Sequence, residues 1–185
     1  METIGNTYFI CFQMNVDHQS INLLLDTIEN RIPDECQNVI LLLNSHGGSV
    51  RLAMGAYHLF RSLPCQITAY NIGAVDSAAL LLYLGASRRY CVANARFLVH
   101  PVFQIHQNEP QTIQSLKNKL EEIQLDTIAV ANILEEHTKL SSKRWLQMMK
   151  TQSYITPENA IAVGLVEGID TIPLITSAQI FFIGA

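Results

Sequence analysis

The spacing of apolar positions along the chain changes several times, and each change marks an element. Tyr8 to Met14 is rich in aromatic and apolar residues and reads as a first strand. Asp17 is placed to cap a helix from about His18 to Arg31, in which Ile21, Leu24, Leu25 and Ile28 recur at three and four; Pro33 stops it. Asn38 to Leu43 is a short, almost unbroken apolar run, the pattern of a strand buried on both faces of a parallel sheet. The turn Asn44 to Ser49 leads into a helix from about Val50 to Leu63, with Met54, Tyr57, Leu59 and Phe60 near its buried side and Pro64 at its end. Gln66 to Ile72 reads as a third strand and Ala78 to Leu84 as a helix that Gly85 breaks. Arg89 to Val92 and Phe97 to Val99 read as two more strands.

Beyond His100 the texture differs. Residues 101–110 are polar and irregular, and a long helix follows from about Gln111 to Thr138, with Ile113, Leu116, Leu120, Ile123, Ile128, Ala131 and Leu134 on one apolar stripe. Such a helix, introduced by a polar arm, suits docking on a neighbouring subunit as well as on the core. A shorter helix spans about Ser142 to Lys150, and Thr156-Pro157 opens another that Gly164 ends. The tail, residues 172–185, is apolar at both ends and reads as an edge strand or a contact segment. No repeat or low-complexity linker interrupts residues 1–185, so the pattern describes one domain, an α/β layered fold with right-handed crossovers.

Composition narrows the function classes. With 49% hydrophobic residues and a net charge of −4, the chain has a sizeable core and no Lys/Arg block able to follow a phosphate backbone, which argues against nucleic acid. The pairs Arg88-Arg89 and Lys143-Arg144 are isolated and read as solvated. The cysteines at 11, 36, 65 and 91 form no Cys-x-x-Cys pair, and their usage fits a reducing compartment, the cytoplasm in the simplest reading. No secretory signal is visible, and the longest apolar run, Ala78 to Ala86, falls far short of a membrane span. His46, His58, His106 and His137 make no metal-binding pattern, so neither metal nor cofactor is expected.

Candidate chemistry lies at the carboxyl ends of the predicted strands, where sites of such sheets gather. Ser77 follows one strand and precedes a helix, so its hydroxyl serves as an N-cap or as a nucleophile with unpartnered N–H groups beside it. Gly47-Gly48 follows another strand; the pair either reverses the chain or offers a bare N–H to an oxyanion. His100 ends a third strand, as a structural residue or as a base.

Leu42 to Val50, with Asn44-Ser45-His46-Gly47-Gly48, resembles the strand and Asn-Ser-Pro-Gly-Gly turn of the Clp-type serine peptidases, with His46 where Pro is usual. Gly73-Ala74-Val75-Asp76-Ser77-Ala78-Ala79 is similar to their Gly-Gln-Ala-Ala-Ser-Met-Gly nucleophile turn, and Arg96 to Pro101 to the strand bearing their histidine. Glu136-His137-Thr138 resembles the end of their long helix, and Tyr154 to Ala160 with Gly164-Leu165-Val166 their closing helix and turn. The resemblance covers roughly residues 38–168. It implies a ClpP/crotonase-like fold of repeated β-β-α layers, with a protruding handle of arm and helix over about 101–140.

Carried over position by position, it implies Ser77 as nucleophile, His100 as base, and the N–H groups of Gly48 and Ala78 as oxyanion hole. Peptides or unfolded chains would be hydrolysed in a homo-oligomeric ring. The position matching the triad aspartate is Gln152, whose amide can orient an imidazole without offsetting its charge; Asp76, the nearest carboxylate in sequence, should point another way. The segment before the first strand is shorter than the family's axial gate, which leaves an ATPase unfoldase partner open, and the arm after His100 lacks the usual glycines. Two other readings follow: a weak or inactive ClpP-like structural subunit, and a crotonase-like acyl-CoA enzyme. A serine–lysine dyad through Lys117 or Lys119 is a lesser route to activating Ser77.

Overall fold

The computed structural model describes residues 7–104, 110–173 and 179–184. Among these, eight strands form one sheet: β1 (Thr7–Gln13), β2 (Asn38–Ser45), β3 (Gln66–Asp76), β4 (Arg88–Cys91), β5 (Arg96–Val99), β6 (Ser153–Ile155), β7 (Gly168–Ile169) and β8 (Ile180–Gly184). The order is β6-β5-β3-β2-β1-β8, with β4 pairing with β3 and β7 off this path. All pairs are parallel except β5 with β6. The helices are α1 (His18–Asn30), α2 (Val50–Ser62), α3 (Ala79–Leu84), α4 (Ile113–His137), α5 (Ser142–Lys150) and α6 (Pro157–Ala162). The architecture is the mixed α/β fold with a long helix that the sequence predicts.

The central strands bury both faces, which is why their sequences lack clean alternation. Ile10, Phe12, Val39, Leu41, Leu43, Ile67 and Ala69 face the main core with α1, α2 and α3. Phe9, Cys11, Leu42 and Tyr70 point the opposite way into a smaller cluster. The tail forms an edge strand: β8 adds to β1, burying Phe181 and Ile183 and leaving Phe182 exposed between them. Caps set the helix starts. Asp17 and Ser20 form a reciprocal capping box on α1, and Ser49, Thr112, Ser141 and Thr156 each accept a backbone N–H at the start of α2, α4, α5 and α6.

Two expectations need correction and a third is sharpened. The third strand extends past Ile72 to Asp76, because Asn44 and Asn71 serve as backbone surrogates at a register shift between β2 and β3. Asn44 Oδ1 accepts from the Ala74 N–H at 3.0 Å, and Asn71 Oδ1 from the Gly73 N–H at 3.0 Å. The apolar stripe of α4, read as suited to a neighbour as well as to the core, divides along its length: Val130, Ala131, Ile133 and Leu134 are buried, whereas Ile113, Leu116, Leu120 and Ile128 are exposed because the helix runs out past the layers it packs on. Arg89, finally, is not a solvated cation. It donates to the carbonyls of Leu165 (3.0 Å), Ala86 (3.3 Å) and His137 (3.3 Å), tying β4 to the end of α4 and to the turn before β7. Burial lowers its pKa accordingly. His106 lies outside the described residues.

Candidate active site

Ser77 sits between the last residue of β3 and the start of α3 with φ of 57°, a left-handed conformation that a side chain adopts at a cost. Its own N–H donates to the Leu98 carbonyl on β5 at 2.8 Å, so the turn is bonded into the sheet rather than into the helix. The hydroxyl is therefore not a helix N-cap. Ala78 holds the cap position of α3, no side chain caps that helix, and the Ser77 hydroxyl makes no hydrogen bond among the described residues. The structure thus sets aside the N-cap reading of this turn.

The glycine turn lies directly against it. A Cβ on Gly47 (φ 89°) would stand 2.6 Å from the Asp76 carbonyl oxygen, 2.7 Å from Ser77 Cβ and 2.9 Å from the Ala78 nitrogen. A Cβ on Gly48 (φ 147°) would collide with the Val16 carbonyl oxygen. Both positions therefore need glycine for backbone shape and for approach. The turn is clamped from the other side, since Val16 donates to the Gly47 carbonyl and Ser49 to the Val16 carbonyl, each at 2.8 Å. The N–H groups of Gly48 and Ala78 find no partner among the described residues. Unpaired donors at such a turn are ready for an anionic oxygen.

His100 follows β5, half-buried. Its Nδ1 stands 2.7 Å from the Pro101 carbonyl oxygen, which fixes Nδ1 as the protonated nitrogen and leaves Nε2 as the acceptor. Phe103 flanks the ring, centroid to centroid 5.5 Å. Ser77, Gly48 and His100 line one groove of about 540 Å3, together with Asn15, Val16, Asp17, His46, Gly47, Val50, Val102 and Phe103. Beneath it, a pocket of about 20 Å3 has apolar walls from Leu80, Val99, Val130 and Met149. The sheet thus brings together four of the five residues singled out in the sequence, Ala78 lining this lower pocket with Ser77 and His100. Ser77 and His100 share the groove without a hydrogen bond between them.

Gln152 stands apart. The antiparallel register pairs Val99 with Ser153, and one further step sets Gln152 opposite His100. At that step, however, Gln152 takes a left-handed conformation (φ 51°), donates its N–H to the Met149 carbonyl and leaves its side chain exposed, with no bond to the imidazole. Pro101 supplies by its carbonyl the contact expected of Gln152. Asp76 does point away from His100, as its place beside Ser77 predicts. Its buried carboxylate takes His46 Nδ1 at 3.2 Å and Arg96 Nη2 at 3.0 Å. That cluster was not legible beforehand, because its members lie 30 and 20 residues apart; His46 in a turn that otherwise favours proline was the only hint.

The lysines weighed for a dyad lie on the exposed part of α4, where Lys119 Nζ donates to Gln111 Oε1 at 2.7 Å; neither lines the groove. Among the described residues, no group of three or more His, Cys, Asp or Glu is arranged to hold a metal ion. No helix among them is long and apolar enough to cross a membrane.

Comparison with known proteins agrees with the fold. The Clp protease family model matches residues 2–172. The "ATP-dependent Clp protease proteolytic subunit 2" of Corynebacterium efficiens is 26% identical over 141 residues, covering 75% of this chain and 69% of that protein. Its namesake in Chlamydia trachomatis serovar D is 28% identical over 136 residues, covering 72% of this chain and 66% of that protein. Among solved structures, a point mutant of ClpP1 from Listeria monocytogenes superposes with a TM-score of 0.71 at 18% identity, covering 89% of this chain and 92% of that one, a likeness of fold.

Proposed function

The chain belongs to the Clp protease family, and on that premise we propose that it is a serine-type peptidase cleaving peptides or unfolded chains within a homo-oligomeric assembly. The observation that carries this reading is the meeting of Ser77, the free N–H groups of Gly48 and Ala78, and His100 at one groove. In the proposed reaction Ser77 Oγ attacks the scissile carbonyl carbon and His100 Nε2 takes the hydroxyl proton. The Gly48 and Ala78 N–H groups hold the resulting oxyanion, each worth about 10²–10³ in turnover for such a donor. His100 then returns the proton to the leaving amine, and water hydrolyses the acyl-enzyme by the same route. Pro101, through its carbonyl, keeps the required tautomer throughout.

The small pocket walled by Leu80, Val99, Val130 and Met149 opens beside Ser77 and favours a compact apolar side chain next to the scissile bond. The exposed leucines of α4 are the surface proposed for contacts between copies. A fluorophosphonate probe tests the reading: the adduct should map to Ser77 and vanish in Ser77→Ala. Absence of labelling, together with peptide turnover indifferent to His100→Ala, would refute it.

A further inference from the structure

The groove that holds Ser77 continues into a second hollow of about 380 Å3, with Asn15, Asp17 and His46 in the walls of both. On its other side it meets a third, of about 200 Å3, through Gly48, Val50, Val102 and Phe103. Histidines apart, the charged side chains lining these three hollows among the described residues are Asp17, Arg51, Glu122 and Asp126. Three carboxylates thus face one guanidinium. Arg51 is already committed, since it pairs with Glu122 and stands 3.9 Å from Asp126.

Asp17 has capacity to spare. As the cap of α1 it accepts the Ser20 N–H through Oδ1 at 2.8 Å. Its Oδ2 has no hydrogen-bond partner among the described residues, and none of their ion pairs includes it. An ionised carboxylate only accepts, so the free, solvent-exposed oxygen has room for further donors. The cap also fixes the side chain, so little conformational entropy is lost when a ligand engages it. His46 does not reverse this chemistry. Its Nδ1 lies 3.2 Å from Oδ2 of Asp76, a buried carboxylate that Arg96 matches at 3.0 Å. A neutral His46 bonded in that way keeps Nε2, an acceptor, as its free nitrogen. His100, the remaining titratable group of the groove, has Nδ1 occupied by Pro101. The wall therefore combines acceptors with a negative charge, which suits a donor-rich cation and disfavours a carboxylate.

We infer that Asp17 is a specificity-determining residue of this groove, favouring peptides that carry an arginine or lysine side chain into the hollow lined by Asp17, Asn44 and His46. This rests on the peptidase reading above and names a substrate class within it.

The test uses matched internally quenched peptides in which Arg and its uncharged isostere citrulline are exchanged at each position around the scissile bond. Both ends are blocked, so that only a side chain supplies the charge. Assays run at about pH 8, where an ordinary imidazole is neutral. At one position the Arg peptide should be favoured about two- to fivefold in kcat/KM, the scale of an ion pair open to solvent. The gain should appear in KM and shrink in about 0.5 M salt. Asp17→Asn should bring the pair to parity, because Asn caps a helix about as well as Asp and only the charge is lost. A preference that survives Asp17→Asn, or none at any position, overturns the inference. Binding of the same peptides to the Ser77→Ala protein, followed by fluorescence anisotropy, separates the two readings. No turnover by the parent chain defeats the peptidase reading, while the Arg-to-citrulline ratio of Kd, with and without Asp17→Asn, still decides the role of Asp17. Equal Kd values, or no binding of either peptide, count against it.

Discussion

The Nδ1 of His100 lies 2.7 Å from the carbonyl oxygen of Pro101, its immediate neighbour in the chain. A backbone dipole therefore orients the imidazole where a carboxylate would otherwise stand. The carbonyl fixes the tautomer and the ring plane but has no full charge to set against the imidazolium that the proposed attack would form.

Supplying that charge should accelerate the reaction. Gln152 lies one register step beyond the Val99–Ser153 pair, opposite His100, so Gln152→Asp puts a carboxylate beside the proposed base after a modest change of backbone. Turnover of a good peptide should rise about 10- to 100-fold, less than the ~10⁴ by which loss of a triad carboxylate lowers it, since Pro101 already secures the tautomer. Measuring kcat for both proteins at saturating peptide checks this. Unchanged kcat with unchanged binding would mean that the Pro101 carbonyl suffices.

The glycine turn should tolerate no side chain. Gly47→Ala places a methyl within 3 Å of three atoms of the Asp76–Ala78 segment and at a φ of 89°. The expected cost is about 1–3 kcal/mol of stability from strain alone. Labelling of Ser77 should slow at least about 100-fold, as the methyl displaces the Ala78 donor. Urea unfolding and probe kinetics on the same preparation measure the two effects. Wild-type labelling by Gly47→Ala would show that the two turns do not act together.

Much of this site was legible in the sequence because a parallel sheet delivers its chemistry to strand ends. Gly47-Gly48, Ser77 and His100 each end a predicted strand, and β2, β3 and β5 are neighbours. What escaped depended on distance in sequence or on protrusion. Apolar spacing marked one stripe on α4 for core and neighbour alike, but periodicity cannot tell where the contact with the core ends. Arg89 reads as a surface cation until three carbonyls from separate segments converge on it. His46, Asp76 and Arg96 belong to three different elements, and no local pattern links them.

Stability should fall on mild acidification because of His137. Its Nε2 is bonded to the Tyr57 hydroxyl at 2.8 Å, and burial, followed by the charge of Arg89, lowers its pKa below the ordinary value. The unfolded chain therefore takes up a proton near pH 6.5 while the folded one does not, so stability is lost as pH falls below that value toward the folded pKa. Urea midpoints should decline from about pH 7.5 to about pH 5. His137→Gln, which can still accept from Tyr57, should flatten that decline. An equal slope in the variant would assign the effect to other groups.

The outer half of α4 should govern assembly. Ile113, Leu116 and Leu120 recur at three and four on one face and are 76%, 56% and 57% exposed, a contiguous apolar row that an isolated chain would leave in water. Burial of such surface contributes about 25 cal/mol per Å2, so several leucines covered at each contact sum to a stabilising association. The row lies far from the buried Val130–Leu134 segment that docks α4 on the core, so charges introduced there leave the fold intact. Leu116→Glu combined with Leu120→Glu should shift the protein to smaller species in sedimentation velocity, with an unchanged far-ultraviolet circular dichroism spectrum and an unchanged urea midpoint for the dissociated chain. Assemblies of undiminished size in the double variant would place the contacts between copies on another surface.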